Sequence, residues 1–332
     1  MQLLASLVLL CSAVQAGPFT HRASQGEWVQ REVEREYTLP KGWLQIQLEA
    51  DSKGSRAARD SSGALAPWAE GTRWRYSRLW LNIDQGFSQR VRIYAHIPLV
   101  HAWLRSSAGA DTSTVAMGDV HTGLWVQPWL EGPWASALQL DLKAPSGVEW
   151  PSDLIGGSAN TGGFLTGTGI TNLGAHLHLR RRFGDVAAVK AQLGYVRKFP
   201  AVVGYIVEDG GFANGWLNAG DELAAGLEAQ AQLADSWAVS GQARYSHRGV
   251  YQLGVSGQSP SALELDAIPG SAGDFVDVGL DLGFSPSDGL EFGLGASAQV
   301  VGSDTRLFAH LGLEEFSPQP GVSVSLRGAY RW

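Results

Sequence analysis

Cysteine is almost absent from this chain. A single thiol, Cys11, stands among 332 residues, so no intramolecular disulfide can form. Charge is also scarce: Asp, Glu, Lys and Arg make up 17% of the residues, against about 25% in ordinary soluble domains. Beyond residue 16, no apolar run approaches the roughly 18 residues that a membrane helix needs. A helical membrane bundle is thereby excluded. A membrane barrel is not, because its strands alternate apolar and polar residues and average to a neutral mean hydropathy, here −0.07. Dense Lys/Arg clusters are missing as well. With a net charge of −7, nucleic acid is excluded as a partner. What the chain does have is 42 glycines, 13 tryptophans and 44% hydrophobic residues, too apolar for a disordered polymer.

Residues 1–16 read as a signal peptide. The apolar run Leu3–Leu10 is too short to span a bilayer, and Val14 and Ala16 stand at −3 and −1 before Gly17. Cleavage there would remove Cys11 and leave a mature chain suited to an oxidising compartment. Residues 17–40 form a polar periplasmic N-terminal segment containing Arg31-Glu32-Val33-Glu34-Arg35-Glu36. A short helix, a plug and a flexible arm all fit it.

From residue 41 to 332 the pattern has period two. Leu223, Ala225, Leu227, Ala229, Ala231 and Leu233 alternate with Glu222, Ala224, Gly226, Glu228, Gln230 and Gln232. A helix would repeat every 3.6 residues, so this is a strand with one apolar and one polar face, and it is long enough to cross a membrane at a tilt. Similar alternation recurs around short turns near residues 85, 132, 184, 235 and 287, about every 50 residues. Long connections separate these hairpins. The expectation is an all-β, antiparallel up-and-down transmembrane barrel of twelve strands in the bacterial outer membrane, its long loops outside and both ends periplasmic. Residues 305–313 also look strand-like and are read as an outer extension; fourteen strands is the alternative. Phe87, Trp129, Trp134, Phe183, Trp237, Phe284, Tyr330 and Trp332 fall beside the short turns or at the C-terminus. There they would form an interfacial girdle in contact with outer-membrane lipid. The terminal Trp332 looks like a signal for the barrel-assembly machinery.

Short motifs in the middle third carry a family resemblance. Gly118-Asp119-Val120 opens the fourth strand and Leu142-Lys143-Ala144-Pro145-Ser146-Gly147 closes the fifth. Gly167-Thr168-Gly169-Ile170-Thr171-Asn172-Leu173 opens the sixth, and Gly194-Tyr195 lies in the seventh. In order and spacing they resemble the exported, transporter-like outer-membrane family named after the meta-pathway of phenol degradation. Tyr37-Thr38-Leu39-Pro40-Lys41-Gly42, before the first strand, is similar too. The resemblance spans Gly118 to Pro200, about a quarter of the chain, and implies an outer-membrane barrel that passes small molecules.

Signs of enzyme chemistry are weak. Gly167-x-Gly169 lacks a third glycine and opens a strand where a nucleotide site needs a helix. His176 and His178 share a strand face, with no third metal ligand evident. Ser246 and His247 are adjacent, so they point to opposite faces, and no GxSxG elbow occurs. The chain therefore reads as no enzyme, with no cofactor and no metal site.

The polar faces define a candidate lumen. Its expected lining is Arg78, Arg90, Arg92, His96, His121, Asp141, Lys143, His176, His178, Arg180 and Lys190 on strands two to seven. Beyond these come Glu222, Glu228, Arg244, Asp277, Asp281, Glu291 and Arg327. A largely basic side facing a largely acidic side would set up a transverse field, as in charge-lined pores. The alternative is that the charges pair and plug the barrel. Gly226, Gly279, Gly283, Gly293 and Gly295 are read as thinning the wall for an open path or for an inward-folded loop. The loop candidates are 144–168 and 199–219, whose apolar surface would come from Phe164, Leu165, Phe199, Pro200, Tyr205, Ile206, Phe212 and Trp216. The expected function is an outer-membrane channel for a small-molecule solute, hydrophobic or aromatic compounds among them. A structural or adhesive barrel and a barrel hydrolase are the alternatives.

Overall fold

The computed structural model describes residues 37–55, 57–59, 65–67, 73–105, 111–131, 133–147, 170–206, 212–250, 252–255, 266–267, 272–287, 289–302 and 322–332. The expected signal peptide, most of the N-terminal segment and residues 305–313 lie outside them. Twelve long strands form a ring: β1 Leu44–Ser55, β2 Arg73–Ser88, β3 Val91–Arg105, β4 Val120–Glu131, β5 Trp134–Ala144, β6 Asn172–Phe183, β7 Ala187–Lys198, β8 Glu222–Ala234, β9 Trp237–Arg248, β10 Gly273–Ser287, β11 Leu290–Val301 and β12 Ser323–Arg331. Each pairs antiparallel with the next. The ring closes where β1 meets β12, from Gln45↔Arg331 to Ser52↔Val324. Closure satisfies every strand edge, a condition that a sheet in hydrocarbon must meet.

Alternation decides which side is in. Leu193, Leu223, Leu227, Leu280 and Leu294 are more than half exposed on one face. Gln45, Asp84, Gln127, Arg180, Gln230 and Glu291 are buried on the other. A soluble sheet would cover such a band of leucine. Here it is the lipid-facing surface, and the polar face lines the interior.

One end of the ring carries tight turns. The first of these is at Gln89-Arg90, not at Gln85-Gly86, because β2 runs on to Ser88. Gly86 serves a close approach, not a turn: a Cβ there would overlap the carbonyl of Pro40, which crosses it. The hairpins β2–β3, β4–β5, β8–β9 and β10–β11 each slip by one residue beside their turns. The slip in β4 pairs Trp129 with Ser136, on the outward face of β5, and so turns the indole toward lipid. Outside at this end, Trp237 stacks on Phe284 at 4.4 Å, and the Arg181 guanidinium lies 5.2 Å from the Trp134 ring centre.

At the opposite end the wall rises unevenly. β3 extends upward to pair with Asp111–Met117. Ala201–Ile206, Phe212–Asn218, Gln252–Val255 and Asp266–Ala267 form a separate four-stranded sheet. The segment 199–219, expected as an inward-folded loop, is therefore largely a hairpin, registered from Ala201↔Leu217 to Ile206↔Phe212, whose backbone groups are satisfied by its own ladder. The other loop, 144–168, lies mostly outside the described residues.

Candidate functional site

The interior of the ring is the candidate site. Arg78, Arg92, His96, His121, Asp141, Lys143, His176, His178, Arg180, Lys190, Glu222, Glu228, Arg244, Asp277, Asp281, Glu291 and Arg327 all have the parity of the buried polar face. Arg90 does not line the wall. It is exposed in the β2–β3 turn, where its Nη1 donates to the Pro128 carbonyl. The same face carries Asp51, Trp80, Asp84, Tyr94, Trp125 and Gln127, whose parity matches that of the charged residues on their own strands.

The charges do not divide into two opposed walls. They pair within the wall: between neighbouring strands, Asp51 with Arg78 at 3.0 Å, Asp84 with Arg92 at 3.5 Å and Lys190 with Glu228 at 3.2 Å, and across Gly293 of β11, Asp281 of β10 with Arg327 of β12 at 2.7 Å. Glu222 bridges Lys198 and Arg244, and Glu291 bridges Arg327 and Arg331. The expected transverse field is thus cancelled locally, because the acids of β1 and β2 sit beside the bases of β2 and β3. Among the described residues these pairs run along the wall.

Nor do the inward glycines leave empty wall. Gly194, Gly226, Gly279 and Gly293 make room for a polar side chain of the adjacent strand to lie flat. Gln192 covers Gly226, with its Cγ 2.9 Å from where a Cβ would stand, and Gln242 covers Gly279 at 3.2 Å. Arg327 lies over Gly293, and His176 over Gly194. Long polar side chains thus lie down along the wall.

Accessibility differs between the turn end and the middle of the wall. At the turn end Gln45, Asp84, Gln127, Ala137, Arg180, Ala188, Gln230, Ala238, Glu291 and Ala329 are at most 6% exposed. Further toward the loops, Gln242 and Arg244 are exposed, and Arg78, Lys190, Glu228 and Arg327 keep a quarter or more of their side-chain surface. The chain before β1 packs into the sealed end. Thr38 and Leu39 are buried, the Thr38 hydroxyl donates to the Gln89 carbonyl at 3.1 Å, and the Tyr37 amide donates to Gln127 Oε1 at 3.1 Å. The Tyr37 ring stacks on Trp125 at 5.8 Å and 13°.

Two motifs far apart in sequence meet at the loop-side rim. Lys143 Nζ donates to Asp119 Oδ2 at 3.0 Å, and the Gly147 amide donates to Asp119 Oδ1 at 3.2 Å. The Ser146 hydroxyl donates to the Gly118 carbonyl and accepts from the Val120 amide. Gly118-Asp119-Val120 and Lys143-Ala144-Pro145-Ser146-Gly147 are therefore one clasp that ends β4 and β5 together.

The hydrolase alternative requires a serine beside a histidine–carboxylate pair. His247 Nδ1 does lie 2.9 Å from Asp274, but on the outer face, while Ser246 is buried on the inner one. His176 pairs with Asp141 at 3.0 Å and His178 with Gln139 at 3.0 Å. Among the described residues, no three His, Cys, Asp or Glu side chains gather in metal-binding geometry.

No family model matches the chain, and no curated protein is similar to it in sequence. Solved structures are similar in fold. The COG4313 outer-membrane channel from Pseudomonas putida F1 superposes with a TM-score of 0.66 at 10% identity, over 89% of this chain and 97% of that one. The toluene transporter TodX of Pseudomonas putida gives 0.46 at 13% identity, over 94% and 93% of the two chains. The first of these likenesses establishes a common barrel fold.

Proposed function

We propose that this chain is a bacterial outer-membrane channel for small molecules, hydrophobic or aromatic compounds among them, with no chemistry of its own. The observation that carries the reading is the polar interior of a closed twelve-stranded ring, in which Gln242, Arg244, Arg78 and Lys190 stay accessible along the wall while Thr38 and Leu39 are buried at the turn end. A barrel built only as a scaffold has no need of glycines that flatten its interior, whereas a path for solute does. The COG4313 protein, whose barrel fold this chain shares, is an outer-membrane channel, in agreement with this reading. Trp332, stacked on Tyr330 at 5.4 Å, is the contact we propose for the barrel-assembly machinery.

The test is solute entry into liposomes carrying the purified chain, comparing toluene and benzoate with glucose, alongside conductance in planar bilayers. Aromatic entry above that of protein-free vesicles, with glucose lagging, is expected. Equal exclusion of all three solutes together with no conductance would overturn the channel reading in favour of a structural barrel.

A further inference from the structure

We infer that the wall pocket around Trp125 is a binding site for a single electron-rich aromatic ring, and that Tyr37 is its tethered occupant. Tyr37 belongs to no strand. Its ring is nonetheless held by side chains from two of them: Trp125 of β4 in a near-parallel stack at 5.8 Å, His178 of β6 with centroids 5.8 Å apart, and the Arg180 guanidinium of β6 at 5.5 Å. The pocket is organised without the tyrosine. Trp125 packs against His178 at 4.5 Å and under the Arg92 guanidinium at 5.0 Å, Gln139 fixes His178, and Asp84 holds Arg92.

Three features make the ring replaceable by a solute. Its ring contacts are a near-parallel stack on Trp125, a tilted packing against His178 and the Arg180 guanidinium over its face, none of which depends on a covalent tether. Its hydroxyl oxygen is buried and, among the described residues, has no hydrogen-bond partner, so no directional bond there selects this tyrosine over a free phenol. The backbone beside it is docked separately, through Gln127, Gln89 and the close passage of Pro40 over Gly86. Ring and arm are therefore separable, and a free ring can take the place of the Tyr37 side chain while the arm stays docked. The Arg180 guanidinium over the ring favours an aromatic over a saturated ring of equal size, because only the former offers it a negative face.

The inference rests on the channel reading for its consequence, passage, but not for binding. The probe is 4-methylphenol, which is the tyrosine side chain set free, titrated calorimetrically into the full chain in detergent. Tyr37→Gly should bind it about tenfold more tightly than the wild type or Tyr37→Phe, the scale of one stacked pair plus a cation–π contact. Trp125→Leu in the Tyr37→Gly background should lose that gain while keeping the wall's bulk, and 4-methylcyclohexanol should show no gain in any variant. Heat-modifiable mobility on gels confirms the folded barrel in each case. Equal affinity in wild type and Tyr37→Gly, persistence of the gain in the Trp125→Leu double variant, or equal binding of the saturated ring would each overturn the inference. Phenol binding that follows the expected order in a barrel that neither conducts nor passes solute would leave the site standing and remove the channel reading.

Discussion

His176 lies flat across Gly194, its partner in the β6–β7 ladder, and from that position reaches Asp141 on β5 at 3.0 Å. A methyl group at 194 would occupy the space of the imidazole, a rigid ring whose displacement would break its pair with Asp141. Gly194→Ala should therefore lower stability by about 1–3 kcal/mol, the usual cost of overpacking. Gly226→Ala meets only the flexible Gln192 side chain and should cost well under half as much. Urea unfolding of the two variants in detergent decides the matter. Equal costs would mean that the inward glycines do not serve to let side chains lie flat.

The rim clasp makes a sharper demand. Asp119 is 6% and Lys143 11% exposed, and the carboxylate also accepts the Gly147 amide. Removing one partner leaves a buried charge without its counterpart, which typically costs about 3–5 kcal/mol. Asp119→Ala should approach that loss, and Asp119→Ala with Lys143→Met should recover a large part of it. A double-mutant cycle by thermal unfolding measures the coupling, and additive losses would show that the two residues do not act as a pair.

This clasp also shows what could be read from residues alone. Its two motifs were legible as strand ends, since proline gives no ladder donor and glycine frees the backbone. That they meet was not, because contact between positions 119 and 147 depends on strand register. The twelve strands were legible because lipid and lumen impose opposite chemistry on alternate residues. The slip in β4 was not: it breaks the alternation and turns Trp129 outward. Charged lumen residues could be traced by parity, and parity would equally have found Trp125, between Gly123 and Gln127. The sign pairing could not, because Asp51 and Arg78 are joined only through the β1–β2 register. Arg90 was misplaced for a local reason. Gln85-Gly86 has turn-like composition, yet Gly86 is there to let Pro40 pass.

Because the wall charges are paired, ion selectivity should depend on the more accessible ones. Arg244 keeps 44% of its side-chain surface on the inner wall, whereas Arg90 stands in the turn. Arg244→Glu leaves Glu222 beside a second carboxylate and should shift the reversal potential in a salt gradient toward cation preference. Arg90→Glu should shift it far less. The reverse order in planar bilayers would place the selective charge at the turn-side mouth.

Acid should loosen one specific contact above the barrel. Asp221, in the segment just before β8, accepts hydrogen bonds from the Tyr195 hydroxyl, from Arg197 Nη1 at 2.8 Å and from the Lys198 amide at 3.2 Å. Its slight burial acts to raise the carboxyl pKa. The hydrogen bonds and the adjacent guanidinium outweigh that and hold it below the usual carboxylate range. A carboxyl whose folded value lies below its unfolded one stabilises fully at neutral pH, and that contribution is lost as pH falls through the folded value. Protease cleavage within 199–219 should therefore accelerate on acidification below the ordinary carboxylate range, and the Asp221 carboxyl resonance should titrate over the same interval. Asp221→Asn keeps the shape but cannot titrate, so its cleavage rate should lack that acid step. An identical step in the variant would assign the acid response to another carboxylate.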